Sequence, residues 1–314
     1  MGLPIVGQKS LGFRTFFGTW VAPGARVTFL GPAGVFEDTF TENNRVGTLN
    51  AAAARCRSGK GDTIFALPGY TEDINVADFA TSLVAGTNLV GVAAPNSGLM
   101  PTLNFTATTA TFLLDVANCS ISGFKFTCGI DAVANYVTVS AAGCSINDCY
   151  FQTGTAAALD VTIPLIVAAG ANDLRVQGNR FAGTGTAVNT NAISVTGAVD
   201  GLNISHNDFD IQALGATNGV IEFSAAATQF RISKNNIVNR RATAAVAIRW
   251  TDVALSGIIS ENNLAFLADV TVASAALSAA GSTTHAVRAF DNLGHDENIG
   301  SAIATTIGAG ATIE

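Results

Sequence analysis

Charge is scarce in this chain: Asp, Glu, Lys and Arg make up 12% of its 314 residues. Long solvated helices need a charged face, so that scarcity excludes them as the main architecture. The 16 Lys and Arg are outnumbered by 23 Asp and Glu, for a net charge of −7. No basic stripe stands out, and the expectation is no nucleic-acid partner, since phosphate binding needs clustered cations. The histidines, His206, His285 and His295, are too scattered to form a ligand pattern. No CxxC pair occurs among Cys56, Cys119, Cys128, Cys144 and Cys149. An odd count without such pairs reads as buried thiols, not as a disulfide framework or a zinc site. No apolar run is long enough to cross a bilayer, and MGLPIVGQKS lacks the charged-then-apolar layout of a secretory signal. We therefore expect no membrane partner and folding in a cytosol.

What is present suits β-structure. Hydrophobic residues make up 48% of the chain, ample for a large core, and there are 32 glycines among abundant Ala, Thr, Ser and Asn. One pattern recurs: CSISGFKF at 119, CSINDCYF at 144, LRVQGNRF at 174, LNISHNDF at 202, FRISKNNI at 230, GIISENNL at 257 and AVRAFDNL at 286. Successive starts differ by 25, 30, 28, 28, 27 and 29 residues. Positions one and three are mostly apolar and two and four polar, the alternation of a strand. The phase shifts at the sixth position and resumes on an apolar eighth, so a corner sits there.

The sixth position supplies Asn179, Asn207, Asn235, Asn262 and Asp291, preceded by Phe124 and Cys149. Asn tolerates the left-handed conformation of a sharp corner, and stacked layers would bring its amides into a ladder. A second strand column advances in step: PLIV, NAISV, GVIEF and VAIRW, with Leu165 and Val167, Ile193 and Val195, Ile221 and Phe223, and Ile248 and Trp250 facing inward. About 28 residues with two or more short strands make one coil of a parallel β-solenoid. Propeller blades need longer repeats, about 40 residues or more.

The expected architecture is all-β, a right-handed single-stranded parallel β-helix of about nine coils over residues 60–293. The Ala-rich stretch TLNAAAARCRSG at 48–59 reads as an N-terminal capping helix, because an open stack end exposes unpaired backbone. Residues 294–314 form a tail or C-terminal cap. Residues 1–47 fit neither pattern and read as an extended arm, with Phe13, Phe16, Phe17, Trp20, Phe29, Phe36 and Phe40 among glycines and prolines. That arm either lies along its own solenoid or is buried against another subunit.

GKGDTIFALPGYTEDI at 59–74, LVGV at 89–92 and the repeated strand-x-Asn-x-Phe coils together resemble the pectate-lyase-like parallel β-helix superfamily, whose coils often carry asparagine ladders. The wording GDTI-x-x-LPG-x-TE is similar to structural proteins of tailed bacteriophages. That resemblance implies a non-enzymatic virion protein on the capsid exterior, made in the host cytoplasm. It implies a homotrimeric decoration or cement subunit whose further partner is the major capsid protein or another virion protein, with no cofactor. A lyase of the superfamily would instead carry calcium-binding carboxylates on neighbouring coils and an Arg or Lys base on the same face. The alternative is a polysaccharide lyase or hydrolase, such as a tailspike depolymerase.

The residues test that alternative. A hydrolase needs two carboxylates about 5–10 Å apart on outward positions. The outward columns, Ser120, Ser145, Arg175, Asn203, Arg231, Ile258, Val287 and Ser122, Asn147, Gln177, Ser205, Ser233, Ser260, Ala289, contain none. On the second strand, Glu222 beside Arg249 reads as a solvated ion pair. Glu72, Asp73, Asp208 and Asp210 are candidate cation ligands near corners, where turn chemistry also accounts for them, and His206 reads as an exposed turn residue.

Overall fold

The computed structural model describes residues 25–31, 45–75, 83–94, 97–156, 159–183, 189–212, 218–240, 246–251, 254–266, 275–280, 285–296, 304–306 and 312–313. They form an all-β parallel solenoid with almost no helix. From Asn88 to Thr306 the turns visit three sheets in the same order, and each of these strands pairs with its counterpart one turn on.

The first sheet holds 13 strands, among them Ser120–Ser122, Ser145–Asn147, Arg175–Gln177, Asn203–Ser205, Ala227–Ser233, Leu255–Ser260 and His285–Phe290. The second, of nine strands, runs from Thr71–Ile74 to Leu293–Asp296, and the third, also of nine, from Phe112–Leu114 to Ala304–Thr306. Register follows the sequence repeat: Ile146 pairs with Val176, Val176 with Ile204 and Ile204 with Ile232. One antiparallel pair interrupts the pattern, Gly154–Ala156 against Leu159–Val167.

The core is the lumen of the coil. Ile121, Ile146, Val176, Ile204, Ile232 and Ile259 enter it from the first sheet, and Leu165, Ile193, Ile221, Ile248 and Trp250 from the third, all buried. From the second sheet comes a phenylalanine column. Phe126, Phe151, Phe181 and Phe209 stack with ring centroids 4.7, 4.5 and 4.8 Å apart and planes within 12° of parallel. Strand spacing of about 4.8 Å sets that separation, and each ring contributes on the order of 2–3 kcal/mol of burial.

Between first and second sheets the chain turns on one residue with positive φ: Gly123 (72°), Asp148 (52°), Gly178 (67°), His206 (57°), Lys234 (57°), Glu261 (57°) and Asp291 (53°). In the six copies from 119 to 257 the left-handed residue is therefore the fifth of the motif, not the sixth as expected. Only Gly takes this conformation without cost, so the non-glycine corners are sustained by the hydrogen bonds of the next residue.

That next residue is a rung of the ladder. The N–H and Nδ2 of Asn179 both donate to Asn207 Oδ1, at 2.9 and 3.0 Å. Asn207 does the same to Asn235, and Asn235 to Asn262, at 2.9–3.0 Å. The remaining Nδ2 hydrogens reach carbonyl oxygens on the preceding coil: Ile146, Val176, Ile204 and Ile232. Every amide hydrogen and both oxygen lone pairs of a middle rung are thus used, as a buried amide requires.

The last rung is Asn292, not Asp291. Asn262 N–H and Nδ2 donate to Asn292 Oδ1 at 3.1 and 2.8 Å. Asp291 is the corner residue, because Gly257 pairs with Val287 and Ser260 with Phe290, one position later than the motif spacing implies. An anionic side chain would supply the acceptor but no hydrogen for the Ile259 carbonyl, which Asn292 Nδ2 meets at 2.9 Å.

Further expectations are corrected. Regular repetition extends over about six turns, not about nine coils. The turn with strands Thr63–Ala66 and Thr71–Ile74 has no third-sheet strand among the described residues. The capping helix over 48–59 is not supported: a five-residue helix, Leu49–Ala53, starts at Thr48, and it does not close the first sheet. Val27–Leu30 pairs with Thr63–Ala66, and Arg45–Val46 pairs with Val27–Leu30, so the sheet continues into the expected arm. At the other end Leu293–Asp296, Ala304–Thr306 and Thr312–Ile313 join the second, third and first sheets, so these segments carry on the coil.

Candidate functional site

Of the arm residues, Phe29 is described; Phe13, Phe16, Phe17, Trp20, Phe36 and Phe40 lie outside the described residues. Phe29 is no free adhesive group. It is buried in strand Val27–Leu30, stacked on Phe65 at 5.9 Å, in a small apolar cluster with Leu67 and Val90. These side chains occupy the outward positions of the first sheet, since Phe29 pairs with Phe65 and Phe65 with Val90 while Ile64 and Leu89 face the lumen. The solenoid therefore has a second apolar layer outside its wall at this end.

Chemistry-bearing groups at the same end are tied to structure. Asp62 is buried and accepts from the Arg26 N–H at 2.6 Å, the Arg57 N–H at 2.8 Å and the Arg57 guanidinium at 2.8 and 3.1 Å. Burial alone would raise its carboxyl; the Arg57 hydrogen bonds and the two backbone N–H groups outweigh that and hold it at about 2. Glu72 accepts from the Leu49 N–H at 2.9 Å and from the Tyr70 hydroxyl. Burial, and then the Glu72 carboxylate, push the Tyr70 phenol upward. Asp73 accepts from Asn104 Nδ2 at 2.8 Å.

On the third sheet, Glu222 and Arg249 are neighbours on successive turns, 3.0 Å apart. The solvated pair expected from sequence is in fact shielded, with side chains 11% and 14% exposed. Glu222 Oε2 also accepts from Asn191 Nδ2 at 2.9 Å and the Gly219 N–H at 3.1 Å. With three donors on its two oxygens, this carboxylate ties adjacent turns together.

The second sheet has the most varied outer face. Lys125, Tyr150, Arg180, Asp208, Asn236 and Asn263 follow one another on successive turns. Lys125 Nζ and Arg180 Cζ lie 5.7 and 5.6 Å from the Tyr150 ring centroid, a cation on either side of one aromatic. Asp208 accepts from Asn236 Nδ2 at 2.7 Å and lies 3.9 Å from Arg180 Nε. Asp210, two residues further on the same strand and face, is paired with Arg240 through two guanidinium nitrogens. Asp208 and Asp210 are therefore about 7 Å apart along the strand. That spacing suits an inverting hydrolase, yet both carboxylates already carry neighbouring donors. His206 stands exposed at its corner.

All five cysteines are free. Burial pushes Cys149 up to about 12 and Cys119 up to about 11, so neither is a ready nucleophile. Among the described residues, no three His, Cys, Asp or Glu side chains are grouped to hold a metal ion, and no helix is long and apolar enough to cross a membrane.

No family model matches the chain, and no curated protein matches it either. The outer faces themselves therefore carry the functional reading. Sequence reasoning missed two of their features: the Lys125–Tyr150–Arg180 sandwich, whose signal was the residue just past each ladder position, and Arg288, hidden by the one-residue slip in the last repeat.

Proposed function

We propose that this protein is a non-enzymatic structural subunit of a bacteriophage particle, a trimeric decoration or cement protein on the capsid exterior, built on a right-handed single-stranded β-helix. The observation that carries the reading is the self-sufficiency of the walls. Glu222, Asp62, Glu72, Asp208 and Asp210 each accept hydrogen bonds from a neighbouring residue or turn, so the charged groups serve the stack. A stiff prism with such walls is suited to holding subunits in place, and its partners are two further copies and the major capsid protein or another virion protein. The link to phage rests on the GDTIFALPGYTED wording.

The test is light scattering of the full chain together with a particle-binding assay on capsids of the source phage. A trimer that binds particles is expected, with binding lost when residues 1–24 are removed and both described strands before Leu49 are kept. A monomer that ignores particles overturns the reading. Turnover of a glycan that disappears in Glu222→Gln favours the lyase or hydrolase instead.

A further inference from the structure

The observed register brings three arginines into one line on the outside of the first sheet. Arg175 pairs with Asn203, Asn203 with Arg231, Arg231 with Ile258 and Ile258 with Arg288. The arginines therefore recur on every second turn, about 9.6 Å apart at ~4.8 Å per turn. All three are exposed, and so is Ile258 between the second and third, at 38%.

The neighbouring column holds shorter or neutral groups. Gln177, Ser205, Ser233, Ser260 and Phe290 run alongside, the three serines buried. Arg231 Nε donates to Ser233 Oγ at 3.1 Å, which steadies that side chain on the sheet. From Asn88 to Phe290 these two columns contain no carboxylate among the described residues; the nearest in the same sheet is Asp200, which pairs with Thr228 and accepts its hydroxyl hydrogen. A chain of net charge −7 thus presents three arginines in one line on a flat face.

The line is made of Arg without Lys, and a guanidinium is shaped for a two-point bond to a carboxylate. Spacing narrows the partner. An extended strand repeats one face about every 6.8 Å, out of step with the arginines. An α-helix returns to the same face after seven residues, or about 10.5 Å, close enough for long side chains to follow over three positions. The exposed Ile258 gives the apolar residues of such a helix something to cover. We propose that this face docks an acidic helix of a partner protein, lying along the solenoid axis with one carboxylate per heptad against Arg175, Arg231 and Arg288. The inference does not depend on the virion reading and concerns a different part of the molecule.

The test titrates the full-length protein, by fluorescence anisotropy at low salt, with a labelled three-heptad peptide held helical and carrying Glu at one fixed heptad position. Binding is expected to fall about tenfold or more when Arg175, Arg231 and Arg288 are all changed to Gln, and to weaken with added salt. A peptide of the same composition with its Glu residues on different helix faces is expected to bind about tenfold more weakly. A melting curve like that of the wild type shows that the triple variant is folded. Equal binding by variant and wild type, equal binding of the two peptides, or no binding of the first overturns the proposal. Hyaluronate, with a carboxylate on alternate sugars, is the competing polyanion; tighter, arginine-dependent binding of hyaluronate assigns the line to a glycan and overturns it as well.

Discussion

The middle of the solenoid and its N-terminal turn solve the same problem in opposite ways. From Asn179 to Asn292 the ladder groups that follow each corner residue are neutral amides, and each up to Asn262 is bonded to the next turn. At the N-terminal turn the pins are carboxylates, with Asp62 holding Arg57 and Arg26, and Glu72 holding Leu49 and Tyr70. Amides repeat without repelling one another, so they suit a column in which each rung faces its own kind. Carboxylates stacked at the same separation would repel, and they serve where one fixed point must gather several strands of chain.

Substitutions that disrupt the middle should have the largest effects. Phe181→Ala removes the ring between Phe151 and Phe209 and should cost about 3–5 kcal/mol, read as a lowered denaturation midpoint. Asn207→Ala leaves both Asn179 donors and the Val176 carbonyl without their partner. It should cost on the order of 3 kcal/mol, and Asn207→Asp should recover little, because it returns the acceptor and not the donor.

The N-terminal turn should answer to pH where the middle does not. Asp62 is depressed to about 2 in the folded chain from an ordinary 3.8. Its stabilising contribution is therefore complete above about 4 and is lost as pH falls through about 2. Hydrogen exchange should report local opening near residues 26 and 57–63 at low pH before the ladder turns lose protection. Asp62→Asn should cost about 2 kcal/mol at neutral pH and flatten that acid response; an unchanged acid response would show that Asp62 is not the source. Smallest of all, breaking the exposed Lys234–Glu261 pair, 3.6 Å apart, with Glu261→Gln should change stability by less than about 0.5 kcal/mol.

Much of the stack was legible because repetition makes errors visible. Inward Ile193, Ile221 and Ile248 and the rungs Asn179 to Asn262 could be placed from spacing alone. Asp291 was misplaced because an Asp–Asn pair offers two candidates for one rung, and the step from Gly257 to Val287 is 30 residues where the motif suggests 29; only paired backbone separates them. Burial of Glu222 was not legible, since it depends on Asn191 and Gly219, which approach it from outside the strand motif. Phe29 was read as part of an arm because nothing local distinguishes an aromatic that covers a sheet from one that seeks a partner. Its strand is recognisable only once Thr63–Ala66 is there to pair with it.

Direction is built into the amide column. Each asparagine is satisfied by the acceptor of a rung about 28 residues later in the chain. A ribosome delivers those rungs in order, so every newly emerged corner waits for the next stretch of polypeptide to close it. Synthesis and closure proceed the same way along the axis, and a truncated product ends on a corner whose donors have no mate.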